Sequence, residues 1–315
     1  MSGIAVVPYD PSFSDAWNRL VAEARNGHFL FDRRFMDYHA DRFRDASLLF
    51  FEKERLIGLL PANRVDDTIY SHQGLTFGGV VAADKLNASR MLSVFDALRH
   101  QLSEAGVRAL VYKPVPHIYH RRPAEEDLYA LFRHGAKLLR RDISTTIDYT
   151  SCAGSAHSRR KAGGKPGRSG LCFGESKRWE EYWALLTQVL VGRHGVRPVH
   201  SLAEIRLLRD RFPEAIRLFT ALSPSGAVLA GVVIFETRTV AHAQYGAVSA
   251  EGRAVRALDG LYMFLIEYYQ ASKCWFDFGI SSDRDGRVLI DGLAKQKEEF
   301  GGSSVVYDTY RLAIP

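Results

Sequence analysis

Cysteine is scarce in this chain of 315 residues: only Cys152, Cys172 and Cys274 occur, an odd number without a C-x-x-C pair. That count disfavours a disulfide framework or a structural zinc site and fits a reducing compartment. Cys274 opens the apolar run CWFDF and reads as a core residue. Long hydrophobic runs are missing too. The longest, such as Gly226 to Phe235, are strand-sized, well short of the roughly 20 residues that span a bilayer. The first residues, MSGIAVVPYDP, lack a basic segment followed by an apolar core, so a signal peptide is not expected and a cytoplasmic location is. No histidine or cysteine spacing suggests a metal.

What is present is the balance of a globular protein, 46% hydrophobic and 25% charged, at a length suited to two domains. The net charge of +6 is unevenly spread. Between His157 and Arg178 seven basic residues, including Arg159 and Arg160, face Glu175 alone. Such a run either holds a phosphate-bearing partner or is a solvated linker.

Helical and extended periods alternate throughout, which predicts a mixed α/β (α+β) class. In the first half, helices are expected at Ser12 to Arg25, Arg33 to Phe43, Ala88 to Ala105 and Glu125 to His134. Strands are expected at Ile4 to Val7, Ala46 to Phe51, Leu56 to Leu60, Thr68 to Tyr70, Leu75 to Val81, Ala109 to Lys113 and Leu138 to Tyr149. The second half predicts helices at Trp179 to Val191, Leu258 to Gln270 and Leu289 to Phe300, and one from Ser201, where Ser201 and Glu204 form a capping box. Its strands are Leu171 to Gly174, Ile216 to Leu222, Val228 to Phe235, Val240 to Val248, Cys274 to Phe278 and Ser304 to Leu312. Both halves repeat one order of elements. The division therefore falls in the Gly-, Pro- and Arg-rich stretch Ser151 to Ser169, giving domains 1–150 and 151–315.

The phrases HFLFDRRFMDYHADRF, YSHQGLTFGG and YKPVPHIYHRRPAEEDLYALF in the first half, with AQYGAVSAEG, WFDFGIS and GLAKQKEEFGG in the second, resemble a bacterial GNAT-family N-acyltransferase group related to the FemAB-type transferases. The resemblance covers nearly the whole chain. It implies tandem GNAT-like domains, each a mixed, mostly antiparallel sheet flanked by helices, with a split between central strands that holds an acyl donor. It also implies N-acyl transfer from acyl-CoA, with acetyl-CoA the expected co-substrate, to an amino sugar carried on a nucleotide in surface-polysaccharide assembly. FemAB-type relatives instead take amino acids from aminoacyl-tRNA, so tRNA is the alternative partner. A non-catalytic tandem fold binding RNA or a glycan is a third reading.

Within GLAKQKEEFGG the resemblance makes Lys297 the group that stabilises charge at the reacting carbonyl or a phosphate, with Lys295 as its alternate. Asp277, set among aromatics in WFDFGIS, would have its pKa raised by burial and serve as a base, or would order the following loop through backbone hydrogen bonds. Tyr245 near the end of its strand would protonate the leaving group or simply pack. Gln244, Arg253 and Arg256 lie where such enzymes grip the cofactor. Here EGRAVRALDG lacks the usual Gly-rich turn for a pyrophosphate, and the arginines would substitute by side-chain contacts. In the first half His72, Lys113, His117 and Tyr119, in glycine- and proline-stiffened loops, form a candidate acceptor site, with Arg159 and Arg160 beyond them.

Overall fold

The computed structural model describes residues 3–150 and 170–315. The stretch Ser151 to Ser169, where the sequence places the domain division and the candidate contacts Arg159 and Arg160, lies outside them. The chain folds into two compact units, each described separately below. Unit 1 comprises Met1–Asp142, Arg284–Val288 and Val306–Pro315; unit 2 comprises Ile143–Asp283 and Leu289–Val305.

In unit 1, β1 (Ile4–Pro8), β2 (Leu48–Glu52), β3 (Arg55–Leu60) and β6 (Val81–Ala82) form an antiparallel sheet in that order. The hairpin of β4 (Asn63–Val65) and β5 (Thr68–Tyr70) instead lies beside β7 (Ala109–Tyr112), to which β5 runs parallel. The last strand, β16 (Ser303–Ala313), pairs its end antiparallel with β7, Leu312 opposite Leu110. Helix α1 (Ser14–Glu23) buries Trp17, Leu20 and Val21, the face its periodicity predicts. A short helix α2 (Arg33–Met36) follows, then α3 (Ala88–Glu104), capped by Asn87, and α4 (Glu126–Arg133). Met91, Val94, Phe95 and Leu98 of α3 close one core with Leu110 and Leu312.

Two expectations need correction. The helix expected from Arg33 to Phe43 ends at Met36 and passes into a single 3-10 turn, because the Arg33 guanidinium turns to Asp37 and Asp45 and binds the chain there. The strand expected from Leu75 to Val81 is only Val81–Ala82. Gly78 packs instead against Ser71 and Gly79 against Tyr112, whose hydroxyl accepts the Val80 N–H at 2.7 Å and donates to Asp127 at 2.7 Å. Burial pushes the Asp127 carboxyl up to about 6, against the hydrogen bond from Tyr112, which lowers it. Tyr112 thus ties β7 to the residue before β6.

In unit 2, the end of β8 (Lys137–Asp148) pairs with β13 (Trp275–Ile280), followed across the sheet by β12 (Val240–Val248), β11 (Val228–Glu236), β10 (Ile216–Leu222) and β9 (Cys172–Glu175). Alternation along β11 sends Ala230, Val232 and Ile234 into a core with Leu261 and Leu265 of helix α8 (Ala257–Tyr269). The opposite face meets helix α5 (Trp179–His194): a Cβ on Gly231 would lie 2.3 Å from the Tyr182 ring. Ser201 caps α6 (Leu202–Arg211) with both bonds of the capping box made, 3.2 Å to the Glu204 N–H and 2.7 Å back from its carboxylate. A turn of helix absent from the sequence reading, α7 (Ala250–Ala254), intervenes before α8. The two-residue strands β14 (Ser282–Asp283) and β15 (Val288–Leu289) precede α9 (Asp291–Glu299).

β12 and β13 run parallel and pair only through Val240, Ala241 and His242 with Trp275, Phe276 and Asp277. Beyond that point β12 continues to Val248 without β13. Both strands are irregular there. Gln244 is an extra residue against β11, between Ala243 opposite Ile234 and Tyr245 opposite Val233. The register of β13 on β8 shifts between Asp277 and Ile280, around Gly279 at φ +79°. Bulges of this kind end pairing and re-aim side chains. The central sheet of unit 2 forks.

Two substitutions test this tie in unit 1. Tyr112→Phe leaves a buried amide and a buried carboxyl without their partner and is expected to lower unfolding free energy by about 1–3 kcal/mol. Gly79→Ala, whose Cβ would lie 2.8 Å from the Tyr112 hydroxyl at φ +79°, is expected to destabilise further. Urea unfolding curves measure both; unchanged midpoints would contradict the role given to Tyr112.

Candidate active site

The fork in unit 2 is built around a carboxylate. Asp277 sits at the last paired position of β13 and is fully buried. A charge in that position requires satisfied oxygens. Oδ1 accepts the Ser144 hydroxyl at 2.6 Å and the Gly279 N–H at 2.8 Å; Oδ2 faces the Nδ1 of His242 at 2.9 Å. The parallel register sets His242 opposite Asp277, so the pair follows from strand alignment. With Nδ1–H donated to the carboxylate, the neutral imidazole carries its basic lone pair on Nε2. This is the arrangement by which a buried acid orients a histidine for proton transfer.

Lys297, on the last turn of α9, reaches the same region. Its side chain is buried, and the ammonium donates to the Gly279 carbonyl at 2.7 Å, the Ile280 carbonyl at 2.8 Å and the Ser281 hydroxyl at 2.9 Å. Three donors meet three acceptors, so Lys297 pins the bulged turn after Asp277. Burial lowers its pKa to about 8, with the Asp277 charge opposing that shift. Lys295 is exposed.

Three residues beyond His242 on β12, the Tyr245 hydroxyl stands 2.5 Å from Nδ1 of His200, and its ring lies edge-on to Trp183 at 5.4 Å. Gln244, the bulged residue, is half-buried. Arg253 lies exposed on α7. Arg256 occupies the N-cap of α8 in a left-handed conformation, φ +55°, and its Nε donates to Asp259 at 2.8 Å. Asp259 also accepts from Gln296 at 3.1 Å. The first turn of α8 therefore carries a carboxylate where an anion-binding helix terminus would leave bare amides.

The remaining sequence-derived residues belong to unit 1. His72 is buried at φ +64°, stacks on His39 at 5.1 Å and accepts the Gly74 N–H at 3.2 Å. Burial holds its pKa down at about 3, the neighbouring His39 adding to the shift. Lys113 donates to the Leu75 carbonyl, and burial lowers its pKa to about 8. Tyr119 is buried, with its hydroxyl 3.0 Å from that of Tyr307, while His117 is exposed. These contacts knit the HQGLTFGG loop to β7.

The structure thus joins Asp277 and Lys297 around one turn, and adds His242, Ser144 and His200, which the sequence reading omitted. His242 had a signal, a polar residue two positions before Gln244 on the same strand. His200 and Ser144 had none, since only the fold brings them to β12 and β13. Among the described residues no group of three or more His, Cys, Asp or Glu could hold a metal ion. No helix among them is long and apolar enough to cross a membrane.

No family model and no curated protein matches the sequence. Solved structures do. FemX superposes with a TM-score of 0.67 at 12% identity, covering 96% of each chain. L-PGS from Bacillus licheniformis gives 0.56 at 11% identity, over 96% of this chain and 91% of that one. A tandem GNAT protein from the clavulanic acid biosynthesis pathway gives 0.53 at 11% identity, over 99% of both. At these identities the likeness is one of fold. The chain thus shares its fold with FemX and with this tandem GNAT protein.

Proposed function

We propose that this chain is an acyltransferase that moves an acyl group onto an amine at the fork of unit 2. The observation that carries the reading is the parting of β12 from β13 immediately after the His242–Asp277 pair. Past the fork, β12 runs on to Val248 without β13 as its partner, and in this reading its edge there pairs with an extended acyl donor as another strand would. The donor carbonyl then lies beside the histidine. An amine attacks that carbonyl, and the backbone N–H groups of β12 stabilise the tetrahedral oxyanion. Nε2 of His242 accepts the proton lost by the amine, while Asp277 offsets the imidazolium charge. Collapse breaks the bond to the leaving group, which takes a proton from the Tyr245 hydroxyl. Lys297 acts by position, holding the turn that carries Gly279 and Ser281.

The finer reading is that the donor is an acyl-CoA thioester and the acceptor an amino sugar, nucleotide-linked, in surface-polysaccharide assembly. Arg253 and Arg256 would meet the donor's phosphates. The His72, Lys113, His117 and Tyr119 region of unit 1, with Arg159 and Arg160, would serve the acceptor. A second reading, transfer from aminoacyl-tRNA, is favoured by one feature: EGRAVRALDG lacks the Gly-rich turn of bare amides that a CoA pyrophosphate needs, and the first turn of α8 carries Asp259. Supplying the protein with acetyl-CoA and UDP- or dTDP-linked amino sugars separates the two. Release of CoA establishes the first; no release, with transfer from charged tRNA, establishes the second. Neither reaction would refute acyl transfer with these substrates.

With either donor, Asp277→Asn and His242→Gln are expected to lower kcat by about 10²–10⁴ with the fold retained, the usual size of an acid–base contribution. Steady-state kinetics and circular dichroism check this; wild-type kcat in both variants would remove the pair from the mechanism.

Lys297 has a distinct pH signature. Its folded-state pKa near 8 lies below the ordinary 10.5. Below pH 8 the lysine is charged in both states, and the folded state bears the full cost of burying it. Between pH 8 and 10.5 the unfolded chain binds the extra proton, so stability contributed by this site rises with pH. Relative to Lys297→Met, wild type is expected to gain up to about 3 kcal/mol over that window, read from urea unfolding at several pH values. A flat difference would contradict the burial assigned to the ammonium.

A further inference from the structure

A second feature lies wholly in unit 1 and goes beyond acyl transfer. A cavity of about 570 Å³ opens between the end of β1, the start of β2 and the C-terminal turn of α3. That volume is within the range of sites for small organic ligands. Its walls differ in character. Leu48, Ile69, Leu102 and Val107 supply an apolar floor. On one side stands Arg33, buried, with its guanidinium 3.8 Å from the centre of the Tyr9 ring. It is bound by Asp37 at 2.6 Å and by Asp45. One cation shared between two carboxylates leaves one excess negative charge there, and the Asp37 side chain is half exposed to the opening. On another side is Arg64. Its Nε donates to the Asp66 carbonyl at 2.8 Å and one terminal nitrogen to the Ala105 carbonyl at 3.3 Å. Both partners are neutral carbonyls, so its positive charge is not offset by a carboxylate contact.

We propose that this cavity binds a small zwitterion with an apolar body, a free α-amino acid or a short peptide. The ammonium pairs with Asp37 and the excess charge of the Arg33 cluster, the carboxylate with Arg64, and the side chain lies on the apolar floor. Carboxylate recognition by a guanidinium is directional and strong when partly desolvated. A neutral apolar ligand would leave both charges unpaired, and an ion of one sign would meet repulsion at one end. The site requires no residue of the fork, so it can be tested apart from the acyl-transfer reaction.

Calorimetric titration of the full chain with three matched probes tests the idea: L-phenylalanine, phenethylamine, which lacks the carboxylate, and 3-phenylpropionate, which lacks the ammonium. L-Phenylalanine is expected to bind, with each truncated probe weaker by about tenfold or more. Arg64→Gln is expected to weaken the amino acid but not the amine, and Asp37→Asn to weaken the amino acid but not the acid. Ala105→Trp, an exposed change at the cavity wall, is expected to abolish binding while circular dichroism stays unchanged. The dipeptide L-leucyl-L-phenylalanine distinguishes the two sources: tighter binding than the amino acid points to a peptide, weaker binding to the free amino acid. The proposal is overturned if folded wild-type protein gives no heat with either zwitterion up to about 5 mM, a limit near 3 kcal/mol of binding free energy. Equal binding of phenethylamine, or binding that survives Ala105→Trp, overturns it as well.

Discussion

Asp277 is a carboxylate with no access to water, and its need for partners organises the centre of unit 2. Meeting that need takes a hydroxyl from β8, an amide from the bulged end of β13 and an imidazole from β12. The amide is available because Gly279 adopts a positive φ and folds the turn back, and the turn is held in that shape by the Lys297 ammonium. One electrostatic requirement thereby ties three strands and the last helix to one point. It is also the point where β12 and β13 separate. A buried acid that orients a histidine and a sheet that opens beside it are what proton transfer next to a bound carbonyl calls for, and both come from the same interaction.

The two units use the same order of elements to different ends. In unit 1 Tyr112 of β7 is tied to Val80, just before β6, and to Asp127, with Gly79 admitting the ring. In unit 2 the corresponding pair of strands keeps three residues of contact and then diverges around two bulges. A tied pair contributes packing and hydrogen bonds; a parted one leaves backbone groups for a ligand. That contrast is the physical reason why acyl transfer is proposed at unit 2.

Much of the fold was legible from periodicity. Helices α1, α3 and α8 fall within a residue or two of their expected spans because their apolar stripes face a core, and the Ser201–Glu204 box forms as its spacing dictates. The misread segments are those where a side chain far along the chain decides the local path. Arg33 ends its helix by reaching Asp37 and Asp45, and Tyr112 draws Gly79 away from a strand. The candidate site divides in the same way. Asp277 stood out as an acid among aromatics, and its neighbour Lys297 through the family resemblance. The partners of Asp277, His242 and Ser144, come from separate strands that only register brings together, and His200 reaches Tyr245 from the loop before α6. The ammonium of Lys297, expected to stabilise charge at a carbonyl or phosphate, donates to the turn formed by Gly279, Ile280 and Ser281.

The account depends on a ligand entering the fork as an added strand, and hydrogen–deuterium exchange observes that directly. In the absence of donor, the amides of Gln244 to Val248 that β11 does not engage should exchange quickly. Binding of a non-hydrolysable acyl-donor analogue should slow them, while the already paired Val240 to His242 stay unchanged. Protection confined to other segments, with Gln244 to Val248 exchanging at the same rate with and without the analogue, would contradict it.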